Sequence, residues 1–142
     1  KCADASMPSG LCRMEITETS YAAIEADRNA TLEALREAGI LLLLDDFGSG
    51  YSSLNMLKDI SADILKIDMG FLKTTKPEHL ERSMTILNMI ISLSKMLGLS
   101  VITEGVETEE QVVKLSQMGC GIYQGYYFSK PIPVSEFEER YM

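Results

Sequence analysis

The chain has 142 residues, 46% of them hydrophobic and 24% charged, and carries a formal net charge of −8. These values describe one globular, soluble domain with its own core and exclude a disordered chain, while the acidity argues against a general nucleic-acid binder, which needs a basic face. No apolar run approaches the roughly 20 residues of a membrane helix, and no signal peptide follows Lys1.

In chain order, Met14–Thr17 is the first strand-like run. Thr31–Ala38, carrying Leu32 and Leu35, reads as a helix that Gly39 closes. The second strand, Ile40–Leu44, runs directly into Asp45-Asp46-Phe47-Gly48-Ser49-Gly50. Ser53–Lys58 is a short helix that Ser52 or Ser53 can cap. Ile64–Ile67 is the third strand. Pro77–Leu97 is the longest helix, with a core stripe of Leu80, Met84, Leu87 and Ile91, and Gly98 ends it. Ser100–Thr103 is the fourth strand. Thr108-Glu-Glu-Gln111 is a capping box opening a helix that Gly119 closes, and Ile122–Phe128 is the fifth strand. Ser135-Glu-Phe-Glu138 is a second capping box.

Strand and helix alternate throughout, which predicts an α/β fold with a parallel sheet. The units are about 20 to 35 residues long, near the size of one βα unit of a (β/α)8 barrel. Five units are too few to close one. The chain is therefore either an open sheet or the C-terminal five βα units of a TIM-like, incomplete barrel. No second domain or linker is evident, and a first residue other than Met points to a piece of something longer.

Polar residues gather at the C-terminal strand ends, where ligands bind in parallel α/β folds. Glu15 and Glu18 flank the end of the first strand. Asp45 and Asp46 end the second, Lys66 and Asp68 the third and Glu104 the fourth, and Gln124 lies in the fifth. Alternation puts Leu65 and Ile67 on one face and Lys66 and Asp68 on the other, so that second face opens on a polar site. Isolated desolvated charges cost several kcal/mol each. Clustered carboxylates with one lysine are tolerable around a divalent cation. The cysteines, Cys2, Cys12 and Cys120, are odd in number and form no C-x-x-C, so neither a disulfide framework nor a zinc site is expected, and a reducing, cytoplasmic setting is. With His79 as the single histidine, carboxylates must hold any metal, which favours Mg²⁺ or Mn²⁺.

Blander readings exist for each residue. Asp-Asp after a strand is commonly a turn or N-cap, Gly48-Ser49-Gly50 is a weak signal alone, and Lys66 could simply pair with Asp68 or Glu104. Met84, Met89 and Met96 read as core filler, Tyr126 and Tyr127 as packing or rim residues, and Cys120 as a small buried residue. Adjacent Asp45 and Asp46 cannot both face inward on an ideal strand, so the chain must bend there, and Gly48 and Gly50 make a sharp turn easy. The coincidence of polar groups along one sheet edge outweighs the separate readings.

"MEITET", "LDDFGSGYSSL", "LKID", "ITEGVETEEQ" and "GCGIYQGYYFSKPIP" occur in that order. Together they resemble the second half of EAL domains, bacterial phosphodiesterases that hydrolyse cyclic di-GMP, over about Leu11 to Phe137. The resemblance implies a (β/α)8-type barrel that opens cyclic di-GMP to linear pGpG with two Mg²⁺ or Mn²⁺ ions. It implies Glu15, Asp45, Asp46 and Glu104 as metal ligands, with Asp45 bridging. It implies Lys66, Asp46 and Glu104 as catalytic groups, Lys66 touching the attacking water and Glu104 a ligand or general base. Gln124 and Asp68 would support the site, Glu18 and Glu107 would anchor it or its mobile loop, and Phe47-Gly48-Ser49-Gly50 would form the substrate loop.

The family's Glu-Ala-Leu motif and the asparagine of the following strand are absent from this sequence. The resemblance therefore implies that the parent domain is an active enzyme and that this segment alone hydrolyses weakly or not at all. Open barrel edges predict a homodimer or other self-association. The alternative is a non-catalytic cyclic di-GMP receptor or interaction module. An upstream sensor or diguanylate cyclase-like (GGDEF) domain is a possible companion in the parent, with no membrane segment or nucleic-acid polymer involved here.

Overall fold

A computed structural model describes residues 11–23, 28–48, 54–68, 70 and 76–142. In chain order the elements are β1 (Arg13–Thr17), α1 (Glu18–Ala23), α2 (Arg28–Glu37), β2 (Leu41–Phe47), α3 (Leu54–Asp59), β3 (Ile64–Ile67), α4 (Pro77–Met96), β4 (Ser100–Thr103), α5 (Glu109–Gln117), β5 (Ile122–Tyr123) and α6 (Val134–Tyr141). All four strand pairs are parallel, and the sheet order is β1-β2-β3-β4-β5. Consecutive order without a reversal is how a barrel is wound; a doubly wound sheet has a switch point.

The two faces are packed differently. On one, Leu44, Leu65, Ile67 and Val101 join Leu57 of α3, Leu87 and Ile91 of α4 and Leu115 of α5 in the main core. Ile16 and Leu42 extend that face toward Tyr21 and Leu32. On the other, Leu41, Leu43, Ile64 and Ile102 form a small apolar cluster made of strand residues alone. Helices on one face and a bare strand cluster on the other is the layering of a barrel wall, and it leaves the second face to the site.

Most elements form for the reasons the sequence states. At Thr108 both halves of the capping box are present: Gln111 N–H donates to Thr108 Oγ1 (3.3 Å), and Thr108 N–H to Gln111 Oε1 (3.1 Å). Leu87 and Ile91 are fully buried, and Gly98 closes α4 with φ 76°.

Several expectations are corrected. β2 runs on to Phe47 and takes Asp45 and Asp46 into the strand. β5 is two residues long; beyond it the chain turns, with the Phe128 N–H donating back to the Gly125 carbonyl at 3.1 Å. α6 has Pro133 at its N-cap and no side-chain cap bond, so Ser135 is inside the helix and forms no second capping box. Proline's fixed φ, here −58°, starts the helix from a position two residues before the serine. α1 was not anticipated; Thr17 Oγ1 caps it by accepting the Ser20 N–H at 3.2 Å. Met84 packs on the core, but Met89 (67% exposed) and Met96 (82%) point away from it. Ser49, Gly50, Ser52 and Ser53 lie outside the described residues.

Candidate functional site

Strand parity and register bring the polar residues together. Glu15 pairs in register with Leu43, Lys66 with Ile102, and Ile102 with Ile122. Glu15, Lys66 and Glu104 thus emerge on the bare face, one step beyond its apolar cluster. Lys66 is the hub. Its Nζ lies 2.9 Å from Glu15 Oε1, 2.8 Å from Asp45 Oδ1 and 2.9 Å from Glu104 Oε1. Its side chain is 7% exposed, those of Asp45 and Glu104 are 17% each, and that of Glu15 is 52%. Burial disfavours the ammonium charge, but contacts with Asp45, Glu15 and Glu104 outweigh it and hold the lysine pKa above its ordinary value.

The bend that lets adjacent aspartates share one site falls on Asp46. Leu44 pairs with Leu65 and Phe47 with Ile67, so β2 spends one residue more than β3 over this interval, which is a β-bulge. Within it Asp46 has φ 56°, the one positive φ at a non-glycine among the described residues. Aspartate tolerates the left-handed region better than most residues, and such strain collects at functional sites. The bend expected at Asp45 and Asp46 thus falls on Asp46 itself, and Gly48 (φ 95°), expected to ease the turn, continues it.

Carboxylate oxygens of Asp45, Asp46 and Glu104 lie within 4.8 Å of one another, the one such acidic cluster among the described residues. Asp45 Oδ1 is buried and has no hydrogen-bond partner among them; its contact with Lys66 is an ion pair without hydrogen-bond geometry. A buried anionic oxygen beside two more carboxylates, with one ammonium for three charges, suits a hard divalent cation. These residues therefore fit a metal. Glu15 stands apart from the three, joined to them through Lys66.

The remaining expected residues surround a cleft of about 340 Å³ lined by Asp68, Glu104, Gly105, Glu107, Gln124, Gly125 and Tyr126. Asp68 Oδ1 accepts the Gly70 N–H at 2.6 Å, which fixes its carboxylate at the end of β3. Gln124 is held by its backbone, its N–H donating to the Thr103 carbonyl at 2.9 Å. Glu107 is exposed at the rim, and its N–H donates to Gln111 Oε1 at 2.8 Å. Phe47 ends β2 and is buried in the main core. The side chain of Glu18 lies outside the described residues, as do Ser49 and Gly50. Sequence reasoning missed the part played by Gly125, whose Cα crosses directly over the Val106 backbone; no local pattern marks such a crossing.

The sequence profile described as "EAL domain" matches residues 4–131. The chain is 38% identical over 131 residues to the cyclic di-GMP phosphodiesterase RocR of Pseudomonas aeruginosa, covering 92% of this chain and 33% of RocR. It is 38% identical over 135 residues to the cyclic di-GMP phosphodiesterase NbdA of the same organism, covering 95% of this chain and 17% of NbdA. The chain thus spans about a third or less of the length of these relatives. Among solved structures, a MucR phosphodiesterase in complex with c-di-GMP superposes with a TM-score of 0.82 at 36% identity, over 96% of this chain and 54% of that one. Klebsiella pneumoniae BlrP1 in a manganese and cyclic di-GMP complex superposes with a TM-score of 0.80 at 32% identity, over 91% of this chain and 32% of that one.

Proposed function

The chain belongs to the EAL domain family, and from that premise we propose that it is the C-terminal segment of a single EAL domain in a metal-dependent cyclic di-GMP phosphodiesterase. The observation that carries the reading is the carboxylate group of Asp45, Asp46 and Glu104 with the buried ammonium of Lys66 against it. Relatives named as cyclic di-GMP phosphodiesterases, and a BlrP1 complex holding manganese and cyclic di-GMP, support the ligand and the metal dependence.

Asp45, Asp46 and Glu104, with Glu15 beside them, would hold Mg²⁺ or Mn²⁺, two ions in the complete domain. Such ions supply an activated water and stabilise the attacking and leaving oxygens of an in-line displacement. This chain's residues do the rest. Lys66, fixed by three carboxylates, orients the water and offsets charge developing on the phosphoryl oxygens. Glu104 accepts the water proton. Water adds to phosphorus, one P–O ester bond breaks, the leaving sugar oxygen takes up a proton from solvent water, and the ring opens to linear pGpG. Asp68 and Gln124 shape the cleft wall, and Phe47-Gly48-Ser49-Gly50 with Glu18 and Glu107 form and tether the substrate loop.

No helix among the described residues is long and apolar enough to cross a membrane. A cytoplasmic site of action fits a nucleotide substrate and the unbridged thiol of Cys120.

The test is hydrolysis by the full-length protein with Mg²⁺ or Mn²⁺, following cyclic di-GMP and pGpG by chromatography. Turnover to pGpG is expected. Binding of cyclic di-GMP without any product would replace this reading with a receptor. The segment alone, without the Glu-Ala-Leu glutamate, should hydrolyse weakly or not at all and should self-associate in light scattering.

A further inference from the structure

We propose that Gly125 is a positioning residue for the site, acting through the Val106 backbone on the Glu104 carboxylate; this rests on the metal-dependent reading given above. Glu104 directly follows β4, and its own N–H donates to the Ile67 carbonyl at 3.0 Å. The two residues that follow are Gly105, with φ 64°, and Val106. Val106 is tied to the segment around Gly125 from both sides. Its N–H donates to the Gln124 carbonyl at 3.1 Å, and its carbonyl accepts the Tyr127 N–H at 3.0 Å.

Between these two bonds Gly125 lies flat against the Val106 backbone. A Cβ at residue 125 would fall 2.7 Å from the Val106 carbonyl carbon and closer still to its nitrogen and oxygen. Backbone atoms cannot swing aside as a side-chain tip can. Val106 also cannot retreat, because it is fully buried in the core that holds Leu115 and Cys120. A methyl group at 125 must therefore push the Val106 segment along the sheet edge. Gly105 is the only residue between that displacement and Glu104, whose carboxylate must stay 2.9 Å from Lys66 and within 4.8 Å of Asp45 and Asp46. The crossing thus sets where Glu104 points.

Gly121 provides the matched control. It lies just before β5 as Gly125 lies just beyond it, and a Cβ there meets nothing within 4 Å. In the full-length protein, Mn²⁺ affinity is measured by calorimetry alongside kcat and KM for cyclic di-GMP. Support for groups that hold a metal is commonly worth about 10- to 100-fold in affinity. Gly125→Ala should weaken Mn²⁺ binding about tenfold or more and lower kcat more than it changes KM. Gly121→Ala should leave all three at the unsubstituted values. If Gly125→Ala does not fold, replacing Val106 by its α-hydroxy analogue removes the N–H donor to Gln124 without added bulk, and the same loss of Mn²⁺ affinity is expected. A folded Gly125→Ala protein, or the hydroxy analogue, binding Mn²⁺ as Gly121→Ala does would overturn the inference. Failure of the unsubstituted protein to bind Mn²⁺ or to hydrolyse cyclic di-GMP would instead overturn the reading on which it rests.

Discussion

The two faces of the sheet are made by neighbouring residues of the same strands, yet they are held by opposite means. Leu65 and Ile67 are fully buried under the helices, where shape and apolar area decide stability. Ile64 and Lys66, each one step away, sit on the bare face, where a short apolar cluster gives way to one ammonium among three carboxylates. The first face gains from every methylene it hides. The second must offset desolvation of charges with contacts among them. The difference shows that the fold's stability and the site's chemistry are separable, residue by residue, along a single strand.

Breaking the charged face at a carboxylate should hurt function far more than folding. Asp45→Asn keeps the size of a mostly buried side chain and removes its charge. If Asp45 holds metal, turnover of cyclic di-GMP should fall about a thousandfold, on the scale of several kcal/mol of lost charge stabilisation. Thermal unfolding of the metal-free protein should move less than it does for Lys66→Met, since Lys66 loses its 2.8 Å ion pair with Asp45 but keeps Glu15 and Glu104 as counter-charges. Retained turnover would show that the carboxylate cluster is structural.

Lys66→Met tests the same face from its centre. Removing the ammonium leaves Asp45 and Glu104, both mostly buried, without their counter-charge. Breaking a buried ion pair costs about 3 to 5 kcal/mol, and the lower end applies because Glu15 is half in water. Mn²⁺ should raise the melting temperature of this variant more than that of the unsubstituted protein, because the cation replaces lost positive charge. Equal shifts would mean that lysine and metal do not share the carboxylates.

Leu65→Ala is the counterpart on the helix-covered face. Emptying a fully buried leucine site should cost about 2 to 5 kcal/mol. Mn²⁺ affinity of the folded fraction should be kept, since Leu65 faces away from Lys66. Loss of affinity with retained stability would break the separation of the faces.

How much of this was legible in the sequence follows from the same contrast. Strand parity alone exposed the charged face at Lys66 and Asp68, because a charge on a strand covered on both sides needs a reason. Periodicity placed α4, and local chemistry placed the Thr108 cap. What stayed hidden depends on contacts between distant segments. The turn after Tyr123 exists because Gly125 meets Val106, so "YQGYYF" reads as a strand when taken alone. The left-handed Asp46 follows from the register of β2 against β3, which no local pattern encodes. Met89 and Met96 looked like core because methionine is apolar, whereas their helix phase turns them outward.

The smallest expected effect is an absence of pH dependence from Lys66. Its pKa lies above the ordinary lysine value of 10.5, because ion-pair contacts with three carboxylates more than offset burial. A raised folded-state pKa gives stability that is fully present below the unfolded value and is lost only as pH rises through the folded one. From pH 6 to pH 9 the stability difference between Lys66→Met and the unsubstituted protein should therefore be constant as far as the lysine is concerned. Urea melts across that range would measure it. A difference that shrinks as pH rises toward 9 would mean that Lys66 loses its proton within the range, and so that the three carboxylates do not hold it as an ammonium. A flat profile would leave any basic limb in the rate of cyclic di-GMP hydrolysis to groups other than Lys66, with the lysine serving as a fixed charge throughout.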